Sequence, residues 1–169
     1  MIDSPPTVRR FAANEWRAYR ALRLHALRDA PDAFGSTLAR EEAFPDDEWV
    51  QRLERGAGSP MDFPLIAEDD SQPIGLAWVR IDPHDGQVAE LYQVWVDPVY
   101  RGRGVGRLVI DSALDWARSS GVRQMVLSVA LGPSSALEFY RRLGFVEVGT
   151  PEPLRSGSTS RKQTMRRTL

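Results

Sequence analysis

The feature that most constrains this chain is a switch of pattern between residues 89 and 106, Ala-Glu-Leu-Tyr-Gln-Val-Trp-Val-Asp-Pro-Val-Tyr-Arg-Gly-Arg-Gly-Val-Gly. Leu91 to Val96 is rich in β-branched and aromatic residues and reads as a strand. Asp97-Pro98 ends it, because proline has no N–H for a ladder and drives its predecessor out of helical geometry. Gly102, Gly104 and Gly106 then permit positive φ and a close backbone approach. From Val105 the apolar period changes from two to about 3.6. Val105, Leu108, Val109, Ser112 and Trp116 form one stripe, with Arg107, Asp111, Asp115 and Arg118 opposite. A strand that feeds an amphipathic helix through a tight turn belongs to an α/β architecture.

That turn has the chemistry of a polyphosphate site. The exposed N–H groups at a helix start carry about half a positive charge, and successive amides of a glycine-rich turn form an anion-cradling concavity. Arg101, Arg103 and Arg107 put charge at the rim, with Gly102, Gly104, Val105 and Gly106 between them. The ligand is not a Walker-type nucleotide, since no Gly-Lys-Ser/Thr follows. A dinucleotide fingerprint counted from Gly104 puts Val109 where its third glycine belongs.

Composition narrows the field. The 169 residues suffice for one domain, residues 1–169, with a proper core. A net charge of −1 argues against a nucleic-acid partner. There is no cysteine, and the two histidines, His25 and His84, stand far apart, so no metal site is expected. The N-terminus carries no signal-like apolar core and no run reaches membrane-spanning length. A cytoplasmic location is the expectation.

Along the chain, Thr7 to Phe11 reads as a short strand, and Asn14 as the cap of a helix from Glu15 to about Arg28. The arginines and His25 of this helix form its wet face. Phe34 to Phe44 reads as a connector, followed by a helix from about Asp46 to Arg55 with Trp49, Val50 and Leu53 inward. Phe63 to Ala67 and Ile74 to Ile81 are strands joined by short turns, hence antiparallel neighbours; His84 lies in the next turn. Gln124 to Val129 is a nearly continuous apolar run, as in a sheet-centre strand. Ser135 and Glu138 read as a capping box for a helix through Leu143, stopped by Gly144. Phe145 to Val148 is a strand, and the basic run Arg161 to Arg167 a charged edge strand.

Arg101, Gly104 and Gly106 stand in the three fixed places of Arg/Gln-x-x-Gly-x-Gly/Ala, the acetyl-CoA motif of the GNAT N-acetyltransferase superfamily, which the chain resembles from about Val8 to Phe145. Phe139-Tyr140-Arg141-Arg142-Leu143-Gly144-Phe145 is similar to that family's aromatic-Tyr-x-x-x-Gly-Phe signature. Leu22 to Phe34 resembles its first helix and acceptor-side loop. The resemblance implies a twisted mixed sheet of six to seven strands with about four helices. It also implies a parallel fourth and fifth strand that splay apart, making a cleft for pantetheine.

The implied reaction is direct transfer of an acetyl group from acetyl-CoA, as co-substrate, to a primary amine of a small molecule or peptide. An amine with a lysine-like pKa near 10.4 is almost wholly protonated at neutral pH. The candidate base is Glu90, which by parity projects with Val94 and Val96 to one face. The resemblance assigns the developing oxyanion to backbone amides of Val94, Trp95 and Val96, and the departing thiolate to Tyr140 as acid. A second branch of the family uses a glutamate where Ser128 stands here. An asparagine common seven residues before the tyrosine is replaced by Pro133, which offers no side-chain polar group; Ser134 or Ser135 are the substitutes at hand. On the acceptor side, Phe34, Glu41 and Glu42 are candidates, and with Asp46, Asp47 and Glu48 the acidic side chains suggest a cationic acceptor. A non-catalytic acyl-CoA-binding sensor on the same fold is the alternative, and pairing into homodimers, common in the family, stays open.

Overall fold

The computed structural model describes residues 5–133 and 135–169. Seven strands form one mixed sheet in the order β1-β2-β3-β4-β5-β7-β6. They are β1 (Thr7–Arg10), β2 (Asp62–Asp69), β3 (Gln72–Ile81), β4 (Val88–Val96), β5 (Gln124–Ala130), β6 (Val146–Pro153) and β7 (Arg161–Thr168). Five helices accompany them: α1 (Trp16–Asp29), α2 (Leu38–Glu42), α3 (Asp46–Gly58), α4 (Val105–Ser119) and α5 (Leu137–Arg142). The fifth helix, beyond the four expected, is α2, one short turn of chain inside the stretch read as a connector. Thr37 Oγ1 caps it by accepting from the Arg40 N–H at 3.3 Å.

The sheet separates two apolar layers. On one face Val105, Val109, Ile110, Ala113, Leu114 and Ala117 of α4 pack on alternate residues of β2 to β5, with Tyr140, Leu143 and Phe145 completing the layer. The buried stripe of α4 is therefore turned from the expected one: Leu108, Ser112 and Trp116 are only half-buried. The alanines at 113 and 117 let α4 sit close to the sheet, which polarity alone does not reveal. On the other face Tyr19, Leu22, Ala26 and Leu27 of α1 and Trp49 and Leu53 of α3 cover Ile66, Leu76, Trp78 and Trp95. Gly56 marks the closest approach of α3, where a Cβ would lie 2.1 Å from the Trp78 ring.

Three local readings are corrected. Asn14 does not cap α1; the flanking residue is Glu15, whose carboxylate accepts from the Ala12 N–H at 2.7 Å and from Arg9. Ser135 and Glu138 make no reciprocal box. Ser135 Oγ accepts from the Leu137 N–H at 3.1 Å, while Glu138 pairs with Arg141. The basic strand β7 is not at an edge; it lies between β5 and β6, and the edge is β6. Its alternate residues Gln163 and Met165 are buried, and the Gln163 amide donates to Val148 O at 3.1 Å.

β4 and β5 pair in parallel only at Val88–Gln124, Ala89–Met125 and Glu90–Val126. Beyond Glu90 the two strands diverge, as the expected splay requires. A β-bulge lies in β4 at the same place. The register with β3 shifts between Leu76 and Trp78, and Gln93 takes φ +57°. An extra residue in one strand reverses the side-chain alternation beyond it. Ala89 and Leu91 thus face α4 before the bulge, and Val94 and Val96 face it afterwards. Glu90 is on the opposite side with Tyr92 and Trp95, because it pairs with Arg80 two places from the Trp78–Tyr92 pair. The parity argument that grouped Glu90 with Val94 and Val96 fails for this reason.

Candidate active site

The gap between the diverging strands opens into a cleft of about 1330 Å³. Residues 90–96 of β4 form one wall and Leu127 to Leu131 the other. The turn before α4 lies at one end, and the α1–α2 connector with parts of α2 and α3 at the other. Of the side chains singled out from the sequence, Glu90, Tyr140, Phe34 and Glu41 line it, as do Val94, Trp95, Val96, Arg101, Gly102, Gly104, Gly106 and Arg107. Arg103, Val105 and Glu42 do not. Val105 is buried in the core beneath α4, and the guanidinium of Arg103 lies over the Tyr100 ring at 5.5 Å. Glu42 is exposed and paired with Arg28 at 3.2 Å.

At the turn, Asp97 Oδ1 accepts from the Val99 N–H at 2.9 Å and starts a 3-10 turn over Pro98–Tyr100. Gly102 at φ +73° and Gly104 at φ +83° then reverse the chain, a conformation that costs an L-residue about 1–2 kcal/mol. The first hydrogen bond of α4 runs from the Leu108 N–H to Gly104 O at 3.0 Å. The N–H groups of Val105, Gly106 and Arg107 hence have no acceptor within the helix, which is the arrangement that binds anions. Gly106 also makes room for α5, since a Cβ there would come within 3.4 Å of the Phe139 ring.

Arg101 has a different post from the one expected. Its Nε donates to Val96 O at 2.9 Å and its NH2 to Asp29 Oδ2 at 2.5 Å. The same carboxylate oxygen accepts from Trp95 Nε1 at 2.9 Å. Burial works against the Asp29 charge, but these two donors outweigh it and hold the carboxyl below its ordinary range. Arg101 thus ties the end of β4 to the end of α1 and braces the turn, leaving Arg107, paired with Asp111 at 3.4 Å, nearer the open rim.

The strand edge facing the cleft carries unpaired backbone. The Asp97 N–H reaches Ile74 O on β3 at 2.8 Å. Alternation along an extended strand then points the N–H groups of Val96 and Val94 the other way, into the gap left by β5. Tyr140, on α5, borders the same gap and is buried to 7% exposure. Burial pushes its phenol well above the ordinary tyrosine value. Glu90 is exposed at the point where the strands part, opposite Arg80, whose guanidinium feels the Glu90 charge. Arg80 is itself held by Asp62 at 2.8 Å.

Sequence reasoning missed most of the acceptor end. Arg23 and Arg52 line it, and their ion pairs with Glu41 join residues from three helices. The loop after β6 closes over it, with Arg155 NH1 donating to Phe34 O at 2.8 Å. Nothing local in the sequence distinguishes these arginines from those on wet faces. Among the described residues there is no cluster of three or more potential metal ligands, and no helix is long and apolar enough to cross a membrane.

Comparison with known proteins gives this geometry a family. Residues 20–145 match the Acetyltransferase (GNAT) family. Among curated relatives, an uncharacterised N-acetyltransferase of Methanocaldococcus jannaschii is 36% identical over 88 residues, 49% of this chain and 38% of that protein. A mycothiol acetyltransferase of Thermobispora bispora is 30% identical over 132 residues, 76% of this chain and 42% of that protein. The chain thus spans less than half the length of these relatives. Among solved structures, a GNAT-family acetyltransferase from Streptococcus pneumoniae superposes with a TM-score of 0.80 at 20% identity, over 98% of this chain and all of that one. The Salmonella typhimurium acetyltransferase yncA, solved with acetyl-CoA, gives 0.80 at 20% identity over 98% and 95%. With a family match over most of its length and the same fold throughout, the chain belongs to the GNAT acetyltransferase family.

Proposed function

We propose that this chain is a one-domain N-acetyltransferase that moves the acetyl group of acetyl-CoA to a primary amine by direct attack. The observation that carries the reading is the coincidence, in one cleft, of a glycine turn at the start of α4, free strand amides and a buried phenol. The relative solved with acetyl-CoA and the PaiA N-acetyltransferase of Thermoplasma acidophilum solved with coenzyme A share this fold, which supports the choice of co-substrate.

In this reading the helix-start amides and Arg107 take the pyrophosphate, and the pantetheine arm extends between β4 and β5. The thioester oxygen meets the N–H groups of Val94 and Val96, fixed before the reaction starts and so strengthening as negative charge develops. The amine enters from the α1–α3 side, which Glu90 faces. Glu90 takes the ammonium proton, through water, before the nitrogen attacks the carbonyl carbon. As the carbon–sulfur bond breaks, the Tyr140 hydroxyl donates a hydrogen bond to the leaving sulfur. Because burial raises the phenol pKa, Tyr140 stays protonated throughout the working range and acts as donor without a titration of its own. Pro133 lines the cleft near the pantetheine path and offers no donor; Ser134 lies outside the described residues. Pantetheine is then held chiefly by the strand edges.

The test is release of free thiol from acetyl-CoA in the presence of an amine panel. Glu90→Gln and Tyr140→Phe are each expected to lower kcat about 100-fold with the acetyl-CoA Kd within about two-fold. Unchanged turnover in both variants would overturn the assigned roles. A protein that binds acetyl-CoA but turns over no amine would favour the acyl-CoA sensor instead.

A further inference from the structure

The acidic residues before α3 suggest a cationic acceptor, but their placement says otherwise. Glu42 is paired at the surface, and Asp46, Asp47 and Glu48 do not line the cleft. The one acidic side chain of that group in the cleft, Glu41, is 3% exposed and already neutralised. Arg23 grips it through Nε at 3.0 Å and NH2 at 2.8 Å, and Arg52 approaches it at 3.7 Å. At the cleft wall two guanidinium groups thus share the Glu41 carboxylate. Glu48 also reaches Arg52, at 3.5 Å, but its side chain is 43% exposed and screened by water.

A second, independent observation points the same way. Arg23 is 4% exposed, and its NH1 has no hydrogen-bond partner among the described residues. A charged donor left buried and unmatched costs stability, and a ligand that supplied an acceptor would remove that cost. Both guanidinium groups are also held in place, Arg23 over the Phe34 ring at 4.9 Å and Arg52 over the Phe44 ring at 4.8 Å. All four side chains border the cleft. Both guanidinium groups are thus fixed at the cleft wall, and of their two carboxylate partners only Glu41 is buried with them. This wall adjoins Gln93, whose Oε1 accepts from Tyr19 OH at 2.9 Å, with Arg52 and Arg23 close enough to Tyr19 to act on its charge.

From these facts we infer that the acceptor amine carries a carboxylate, as an amino acid does, and that Arg52 with Arg23 binds it. This rests on the acetyltransferase reading and names its substrate class. A carboxylate supplies the acceptor that Arg23 NH1 lacks, and the planar guanidinium edge suits it. Gln93 and Glu90 stand three residues apart on β4, at most about 10 Å of strand because the bulge shortens it. An amine a few bonds from its carboxylate, with one water between ammonium and Glu90, spans that distance. Phe34, Phe44 and Tyr92 give the rest of the substrate an apolar surround.

The experiment measures kcat/KM for free amino acids, α, β and γ, each beside its decarboxylated amine and its carboxamide. L-phenylalanine, phenethylamine and L-phenylalaninamide form one such set. At least one carboxylate-bearing amine is expected to exceed both its partners by ten-fold or more. In Arg52→Gln its KM should rise about ten-fold or more, while the KM of its decarboxylated partner stays within about two-fold. A merely structural loss would move both alike. Arg23→Gln is the poorer variant, because it strands the Glu41 carboxylate in the interior. Calorimetric binding of acetyl-CoA is measured on the same samples. If acetyl-CoA binds yet no amino acid is acetylated, or decarboxylated amines do as well, the inference is wrong and the enzyme reading stands. If acetyl-CoA does not bind, the reading beneath it fails.

Discussion

At the scale of single residues, Asp29 connects chain ends that no sequence pattern joins. One carboxylate oxygen holds both the Trp95 indole and the Arg101 guanidinium, so α1 sets the posture of the phosphate turn from across the sheet. Its depressed pKa fixes the sign of the pH effect. The unfolded carboxyl titrates near 3.9, so the stabilisation is fully present above that value and is lost as pH falls through the lower folded value. The thermal-stability gap between the wild type and Asp29→Asn should therefore be constant from neutral pH to about 5 and shrink below about 4. Thermal melts across that range check it; a gap that widens on acidification would contradict the assignment. Because Arg101 is half-exposed, Asp29→Asn should weaken acetyl-CoA binding by only about five-fold.

At the scale of elements, α3 shows how a small side chain decides packing. Gly56 is within a helix, where alanine would ordinarily gain about 1 kcal/mol. A Cβ there meets the buried Trp78 ring at 2.1 Å, and Trp78 is pinned by its indole bond to Asp62 at 2.8 Å. The clash wins: Gly56→Ala should destabilise by about 1–3 kcal/mol, read from chemical denaturation. A neutral or stabilising result would mean that α3 rides freely on the sheet. The same scale shows what the sequence discloses. The strand–turn–helix switch and the strand order of β2 to β4 were legible, because each follows from short-range pattern, whereas the divergence at β4 and β5 came from the family resemblance alone. Gln93 was not legible as a bulge, since nothing but long-range pairing marks it, and the side on which Val94 and Val96 lie relative to Glu90 depends on it. The interior position of β7 was also hidden: the basic pairs Arg161-Lys162 and Arg166-Arg167 look the same on an edge as beside one, while Gln163 and Met165 alone carry the burial. The Arg23–Glu41 pair is eighteen residues apart in sequence and on different helices, and so has no local signature.

At the scale of the whole molecule, the sheet divides the labour. One face presents α4 and α5, with the phosphate turn and Tyr140; the other presents α1 to α3, with the guanidinium pocket. The parting of β4 and β5 is where the two sides communicate: Glu90 faces one side, and the bulge after it turns Val94 and Val96 to the other. In the proposed reaction the acetyl donor and the amine enter from opposite faces and meet there. This account stands on the α4 turn as the donor's anchor. The most direct test is calorimetric titration with acetyl-CoA, with ATP as control, for the wild type and Gly104→Glu. The account predicts micromolar binding of acetyl-CoA, none of ATP, and loss of binding in Gly104→Glu, whose backbone must adopt φ +83° and whose side chain brings a negative charge to the helix-start amides. Equal binding by the two proteins would contradict it, because the donor would then be held somewhere other than the start of α4.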